Sequence, residues 1–184
     1  MAGSMIYDTK LNRTSILAHD QEYFDFLDPH VDRFSLQVMS QALSNTCRYG
    51  GHCSRFYSVA EHSVHVSRIV PPEFAVEGLL HDAHEAFVGD MPTPLKALCH
   101  DFRRIESFVD EEMRARWGLP LEVSDAVKRA DIAMLECERV QLFRRWDDWG
   151  IHGGIDIPDI KLDCWLPQDA REQFLIRAEE LGLI

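Results

Sequence analysis

Apolar residues in this chain recur at three- and four-residue intervals, in runs that stop at Gly and Pro. That periodicity constrains the fold more than anything else in the sequence. Phe34, Val38, Ala42 and Leu43 share one face of a helix predicted over 34–46, which "RYGGH" breaks. Ser58 to Glu61 reads S-x-x-E, a capping box, and opens a helix that runs to Val70, where Pro71-Pro72 stop it. Residues 73–87 form the next helix, which Gly89 ends. Thr93 as N-cap, with Pro94 at the first helical position, opens another. Residues 101–117 carry Phe102, Ile105, Phe108, Val109 and Met113 on one stripe and stop at Gly118 and Pro120. Residues 122–146 turn Val123, Val127, Met134 and Leu135 inward. "GIHGGIDIPD" reads as a loop, and a last helix over 168–181 closes the core with Phe174, Leu175, Ala178 and Leu181. Residues 6–33 read as irregular, with a turn at Asp28-Pro29. No alternation of apolar and polar residues marks a sheet, so the expected fold class is all-α.

Ionisable residues interrupt these apolar faces. His62 lies three residues after Val59 and four before Val66, and so faces inward. His81 and Asp82 sit among Leu79, Leu80, Ala83, Ala86 and Phe87. Asp131 lies four residues after Val127 and three before Met134. Burying such groups costs free energy unless something satisfies them. Two imidazoles and two carboxylates from three helices make an N/O ligand set for one divalent cation, with Mn, Fe, Co, Ni and Zn all suited to it. Glu85 lies one turn beyond His81, placed to hold or deprotonate a water. Asp90 follows Gly89 at a helix end, where loop geometry can swing it over the site.

Other histidines read differently. His65 belongs to the core or supports a ligand from behind. His84 reads as a surface residue, with donation to a phosphate as the other reading. His52 follows two glycines in a loop near Arg48, where a substrate contact is reasonable. Phe56 and Tyr57 precede the capping box as a hydrophobic staple.

Composition sets the surroundings of this chemistry. The length of 184 residues suits one domain, and 46% hydrophobic residues supply a core. "MAGSM" reads as an expression scar ahead of a native start at Met5, leaving residues 6–184 as a single domain. No run of about 18 apolar residues occurs, so no membrane span is expected. The beginning of the chain lacks the basic and apolar regions of a signal peptide, so the expected address is cytoplasmic. Five Cys with no C-x-x-C pair argue against a thiolate zinc site and read as reduced, mostly buried thiols. A net charge of −12 repels a nucleic acid duplex, and the basic pairs Arg103-Arg104 and Arg144-Arg145 are short with acidic neighbours. A small anionic substrate stays open, because a metal and a few cations can invert the local field. No G-x-x-x-x-G-K-[ST] loop is present for ordinary kinase or ATPase chemistry.

Taken together, "SVAEHSVHVS", "LLHDAHEA" and "VKRADIAMLECE" give the pattern H…HD…D, which resembles the HD-domain phosphohydrolases over residues 30–145. That family folds as a compact helical bundle. The resemblance implies that His62, His81, Asp82 and Asp131 hold the metal. It also implies that Glu85 helps activate water and that Asp90 helps protonate the leaving group. Arg48 matches a phosphate-binding Arg, and Lys96 ends "PTPLK" as a phosphate contact. Tyr49 stands where the related deoxynucleotidases carry a Trp that disfavours a 2′-hydroxyl. "HDAHEAFVGDMPTPLK" is similar to bacterial 5′-deoxynucleotidases and phage deoxynucleoside triphosphohydrolases. "CRYGGH…FYSVAEHS" is similar to the short phage and bacterial type, which includes the dATP triphosphohydrolases of phages that use 2-aminoadenine.

The implied activity is metal-dependent hydrolysis of deoxynucleoside triphosphates to deoxynucleoside and triphosphate, with dATP preferred. Mg can accompany the triphosphate, and Arg55, Arg103 and Arg104 are further candidates to neutralise it. The alternatives are a 5′-deoxynucleotidase acting on monophosphates and a signalling-nucleotide phosphodiesterase. Against the cyclic-dinucleotide enzymes stands the missing H-x-x-G-x-x signature. The implied partner is a small deoxynucleotide, with no nucleic acid duplex and no membrane. Because relatives are commonly dimers or higher, a homo-oligomer is expected, bacterial or in the cytoplasm of a phage's host.

Overall fold

A computed structural model describes residues 14–143, 149 and 156–184 of the chain. The "MAGSM" start, the Arg144-Arg145 pair and most of "GIHGGIDIPD" lie outside the described residues.

Ser58 caps a helix, as its position predicts. Its hydroxyl accepts from the Glu61 backbone N–H at 3.1 Å and opens α2, Val59–Ile69. The capping box is not reciprocal. The Glu61 carboxylate instead accepts from the Cys164 and Trp165 backbone N–H groups at 2.8 and 2.7 Å. That tie holds the segment before the last helix against α2. Every residue of α2 from Val59 to Ser67 is buried. It is the central helix rather than an amphipathic one, and four others surround it: α1, Leu36–Asn45; α3, Ala75–Leu80; α7, Asp125–Leu142; and α8, Pro167–Glu180. Two short helices, α4 (Glu85–Val88) and α5 (Thr93–Lys96), lead to the long α6, His100–Trp117.

The apolar core has two parts that meet along α2. Phe24, Phe34, Leu43, Leu79, Leu80, Met113 and Phe174 fill one, and Tyr57, Val66, Val127, Met134 and Leu162 fill the other. Phe24, Phe34 and Phe87 form a ring cluster in the first, with Phe24 and Phe87 stacked at 3.9 Å. α8 buries Ala170, Phe174 and Ala178 in this core, the role its sequence predicts.

The chain is mostly helical, and it departs from the sequence reading at identifiable places. Residues 6–33 are not all irregular: β1 (Ser15–Leu17) pairs antiparallel with β2 (Tyr23–Asp25), Ile16 opposite Phe24. Strands of three residues are too short to display a period. The helix expected over 73–87 is broken. A 3-10 turn at Pro72–Phe74 and α3 precede a turn at 81–84, and α4 follows it. Backbone bonds from Ala83 to Leu80, Glu85 to Asp82 and Phe87 to His84 run three residues back, so the chain winds tighter there than an α-helix. Pro92, not Thr93, is the N-cap of α5, and no side chain caps it. Ser124 caps α7, its hydroxyl accepting from Val127 N–H at 3.3 Å, so that helix begins at Asp125 rather than 122. Phe108 lies at the exposed edge of the α6 stripe. All five cysteines are free, but of these only Cys137 is fully buried. Among the described residues no helix is long and apolar enough to cross a membrane.

Candidate metal centre

The turn at 81–84, the central helix α2 and its neighbour α7 bring four side chains to one point. His62 comes from the middle of α2 and is fully buried. His81 caps the C-terminal end of α3, Asp82 follows it in the turn, and Asp131 comes from α7. His62 Nε2 lies 3.3 Å from His81 Nε2, 3.1 Å from Asp131 Oδ1 and 3.8 Å from Asp82 Oδ2. His81 Nε2 lies 3.2 Å from the same Asp82 oxygen. Ligands bound at about 2.1 Å stand roughly 3.0–3.4 Å apart around an octahedral or tetrahedral ion. The His62, His81 and Asp131 ligand atoms all lie within 4.8 Å of one another and fit one such ion, while Asp82 stands at the edge of the group, 3.2 Å from His81 but 3.8 Å from His62.

The hydrogen bonds behind the histidines set their tautomers. His81 Nδ1 meets the Gly78 carbonyl at 2.9 Å. A carbonyl only accepts, so Nδ1 carries the proton and the Nε2 lone pair faces the site. His62 Nδ1 meets Glu138 Oε1 at 2.6 Å, with the same consequence. Two imidazole lone pairs and two carboxylates thus converge where a cation would satisfy all four. Burial and Arg48 push the His62 pKa down, yet Glu138 and Asp131 outweigh them and raise it to about 9, so without a cation Nε2 holds a proton near neutrality, and a bound cation takes that proton's place. Against burial, His81, His62 and Arg48 hold Asp82 well below the usual carboxylate range.

Glu138 was not anticipated from the sequence. It is fully buried on α7, and its carboxylate accepts from His62, from Arg48 Nε at 3.2 Å and from the Tyr49 hydroxyl. Burial pushes Glu138 up, but Arg48 and His62 outweigh that and hold it at about 2. The signal was available: Glu138 lies seven residues after Asp131, two turns along the same face. Arg48, itself buried, reaches from Glu138 to Asp82, with Nη1 3.5 Å from Oδ2. Tyr49 packs edge-on against Phe143 at 5.0 Å, and it sits in a turn of positive φ that Gly50 and Gly51 continue. His52 is exposed at the end of that turn.

A second cluster lies beside the first. The helical spacing of Glu85 from His81 does not hold, because the turn at 81–84 intervenes. The Glu85 carboxylate instead gathers with His84 and Glu106 of α6, their ligand atoms all within 4.8 Å of one another. Burial, with Asp82 and Asp90 nearby, pushes the Glu85 pKa well above the usual range, and its Oε2 has no hydrogen-bond partner among the described residues. His84 is not on the surface. It is buried between Asp110 at 3.3 Å and Glu106 at 3.8 Å, because α6 packs over the turn. Lys96 Nζ lies 2.6 Å from Glu106 Oε1. Asp90, half-buried after Gly89, has its pKa raised by burial against the pull of Arg48. His65 resolves to the core, stacked on Trp165 at 5.6 Å and 3.7 Å from Glu61. Tyr57, the residue before the Ser58 cap, is buried in the core.

No protein-family model matches the chain. It is 41% identical to the uncharacterized protein YfdR of Escherichia coli over 141 residues, 77% of this chain and 69% of YfdR. It is 30% identical to an uncharacterized protein of Rhodobacter capsulatus, of which the match covers 88%. The chain belongs to the family of YfdR and the Rhodobacter capsulatus protein.

Proposed function

We propose that this protein is a metal-dependent phosphohydrolase that acts on deoxynucleotides, cutting deoxynucleoside triphosphates to deoxynucleoside and triphosphate. The observation that carries the reading is the convergence of His62, His81, Asp82 and Asp131 at 3.1–3.8 Å, with both imidazole lone pairs turned to one point. When bound there, a divalent ion of the Co, Mn, Zn, Ni or Fe type supplies Lewis-acid polarisation of a phosphoryl oxygen and acidifies a water.

The remaining steps belong to the chain. Glu85 is buried, with one oxygen unpartnered among the described residues, and it orients the water for attack on the α-phosphorus. Arg48 neutralises charge on the transferring phosphoryl group, and Lys96 extends that positive field. Asp90 carries a raised pKa, which suits a group that hands its proton to the departing 5′-oxygen. The resemblance to the short phage and bacterial enzymes points to dATP as the preferred base, and a homo-oligomeric, cytoplasmic enzyme accords with it.

One observation favours a second reading, a 5′-deoxynucleotidase. Arg48 is already engaged by Glu138 and Asp82, and Lys96 by Glu106. A monophosphate needs fewer cations than a triphosphate with its Mg. The two readings separate by products. Co²⁺- or Mn²⁺-loaded protein is incubated with each dNTP, dNMP and rNTP, with a His81→Ala, Asp82→Ala double variant as control. Inorganic triphosphate released from dNTPs, absent in the control, is the expected result. Orthophosphate from dNMPs alone moves the assignment to the nucleotidase, and inactivity on every nucleotide by metal-loaded protein refutes both.

A further inference from the structure

Glu138 stands between two parts of the centre that the sequence pattern treats separately. One is the metal ligand His62 on α2. The other is the turn at Arg48 and Tyr49, which carries the cation closest to the ligands. A single buried carboxylate serves both. Oε1 takes the His62 Nδ1 proton at 2.6 Å, and Oε2 takes Arg48 Nε–H at 3.2 Å and the Tyr49 hydroxyl. Arg48 closes the circuit, because its Nη1 faces the ligand Asp82 at 3.5 Å. Tyr49 has φ +60, with Gly50 at +59 and Gly51 at +79, so this is a turn of unfavourable backbone for the tyrosine. Such a conformation persists only where its surroundings over-determine it. The Tyr49 hydroxyl on Glu138 and the Arg48 N–H to the Tyr57 carbonyl at 2.9 Å supply that determination. α7 thus contributes one ligand, Asp131, and two turns later the group that aligns everything opposite it.

We propose that Glu138 is a positioning residue that couples metal binding to anion binding. With one carboxylate it fixes the His62 tautomer toward the cation and holds the Arg48–Tyr49 turn over the site. The inference rests on the reading of His62, His81, Asp82 and Asp131 as a metal centre, and it requires no particular substrate.

Glu138→Gln tests it. The amide offers one acceptor where the carboxylate serves three donors, and its NH₂ must face a donor. Co²⁺ is titrated calorimetrically into the full chain, and inorganic triphosphate is then titrated into protein saturated with Co²⁺. Glu138→Gln is expected to bind Co²⁺ about 10- to 100-fold more weakly, the usual effect of removing a group that orients a ligating histidine. At saturating Co²⁺ it also binds triphosphate more weakly. Tyr49→Phe removes one donor and leaves His62 held, so Co²⁺ binding stays at the wild-type value while triphosphate binding weakens. A folded Glu138→Gln protein with wild-type Co²⁺ affinity overturns the proposal. So does one that loses Co²⁺ affinity but keeps full triphosphate affinity once loaded, because the coupling would then be absent. If Gln at this position prevents folding, Glu138→Asp carries the test. It keeps the charge and shortens the reach to His62, so weaker Co²⁺ binding is expected and wild-type affinity refutes the idea. Neither readout uses a nucleotide. Failure of deoxynucleotide hydrolysis would therefore sink the assigned activity without touching this inference.

Discussion

Gly78 is where the fold and the site depend on the same few tenths of an ångström. A Cβ built on it would lie 3.1 Å from the Ser67 Cα, 3.3 Å from the Ser67 backbone N and 3.2 Å from a Val70 methyl. Two of these neighbours are α2 backbone, which cannot rotate away as a side-chain tip can. Ser67 is also pinned from its far side: Arg177 of α8 donates to its hydroxyl at 3.0 Å and to its carbonyl at 3.0 Å. Gly78→Ala must therefore push α3 off α2. The strain of overpacking is about 1–3 kcal/mol, and Ala recovers up to ~1 kcal/mol of helix propensity. With the full offset the net loss reaches about 2 kcal/mol at most, or up to roughly 8 °C in Tm for a chain of this size. The displacement reaches the centre directly, because the Gly78 carbonyl orients His81 and His81 Nε2 sits 3.3 Å from His62 Nε2. Thermal unfolding of the metal-free protein and Co²⁺ titration read the two effects. Gly78→Ala should lower Tm and weaken Co²⁺ binding together, and Gly78→Val should do both more strongly. An Ala variant that gains stability by its propensity alone, with unchanged Co²⁺ affinity, would show that α3 has room and that its approach to α2 does not set the metal geometry.

Other expectations concern the second cluster and α6. Glu85→Gln should slow hydrolysis by about 10²–10⁴-fold while Co²⁺ affinity stays unchanged; a parallel loss of Co²⁺ binding would instead make Glu85 a ligand. Arg114 is fully buried, with Nε 3.0 Å from Asp110 and Nη1 3.0 Å from the Pro120 carbonyl and 3.7 Å from the buried Glu77, so Arg114→Met removes the cation that faces two acids and should cost about 3–5 kcal/mol in urea unfolding. Burial raises the Asp110 pKa, but His84 and Arg114 outweigh it and lower it. A depressed carboxylate adds stability that is present above its unfolded pKa and lost as pH falls through the folded one. The Tm gap between wild type and Asp110→Asn should therefore be widest near neutrality and shrink below pH ~4. A gap that widens on acidification would reverse the assigned sign.

The helices were legible because their stops were written locally. Ser58 caps through its hydroxyl, and Gly118 takes the left-handed conformation that ends α6. The helix expected over 73–87 failed for the opposite reason. Its apolar spacing is continuous, and nothing in it marks the turn at 81–84, where His84 meets Glu106 and Asp110 of α6. His62 was placed inward on the strength of Val59 and Val66. α2 is buried nearly all round, however, so that argument applied equally to His65. What separates the two is which neighbour each meets: Asp131 and His81 for one, Trp165 for the other. Helical periodicity reports burial, and it cannot report which distant helix stands opposite.

The same limit explains which site residues the sequence yielded. The four proposed ligands stood out because each is an ionisable group at an apolar position, an anomaly visible one helix at a time. Glu138 sits at a position of the same kind, seven residues after Asp131, between Cys137 and Arg139 in a run of buried residues. It passed unnoticed because the run also contains Glu136 and Arg139, an i,i+3 pair at 2.8 Å that makes this stretch look like an ordinary solvated charge pattern. Only the fold shows that Glu138 turns the other way, toward a histidine 76 residues earlier. Glu106 and Asp110 are hidden similarly, on a helix that also carries the exposed Asp101 and Glu111. Groups that bind a metal are marked by their local misfit. For Glu138 the seven-residue spacing from Asp131 marks the face, and the long-range contact with His62 marks the role.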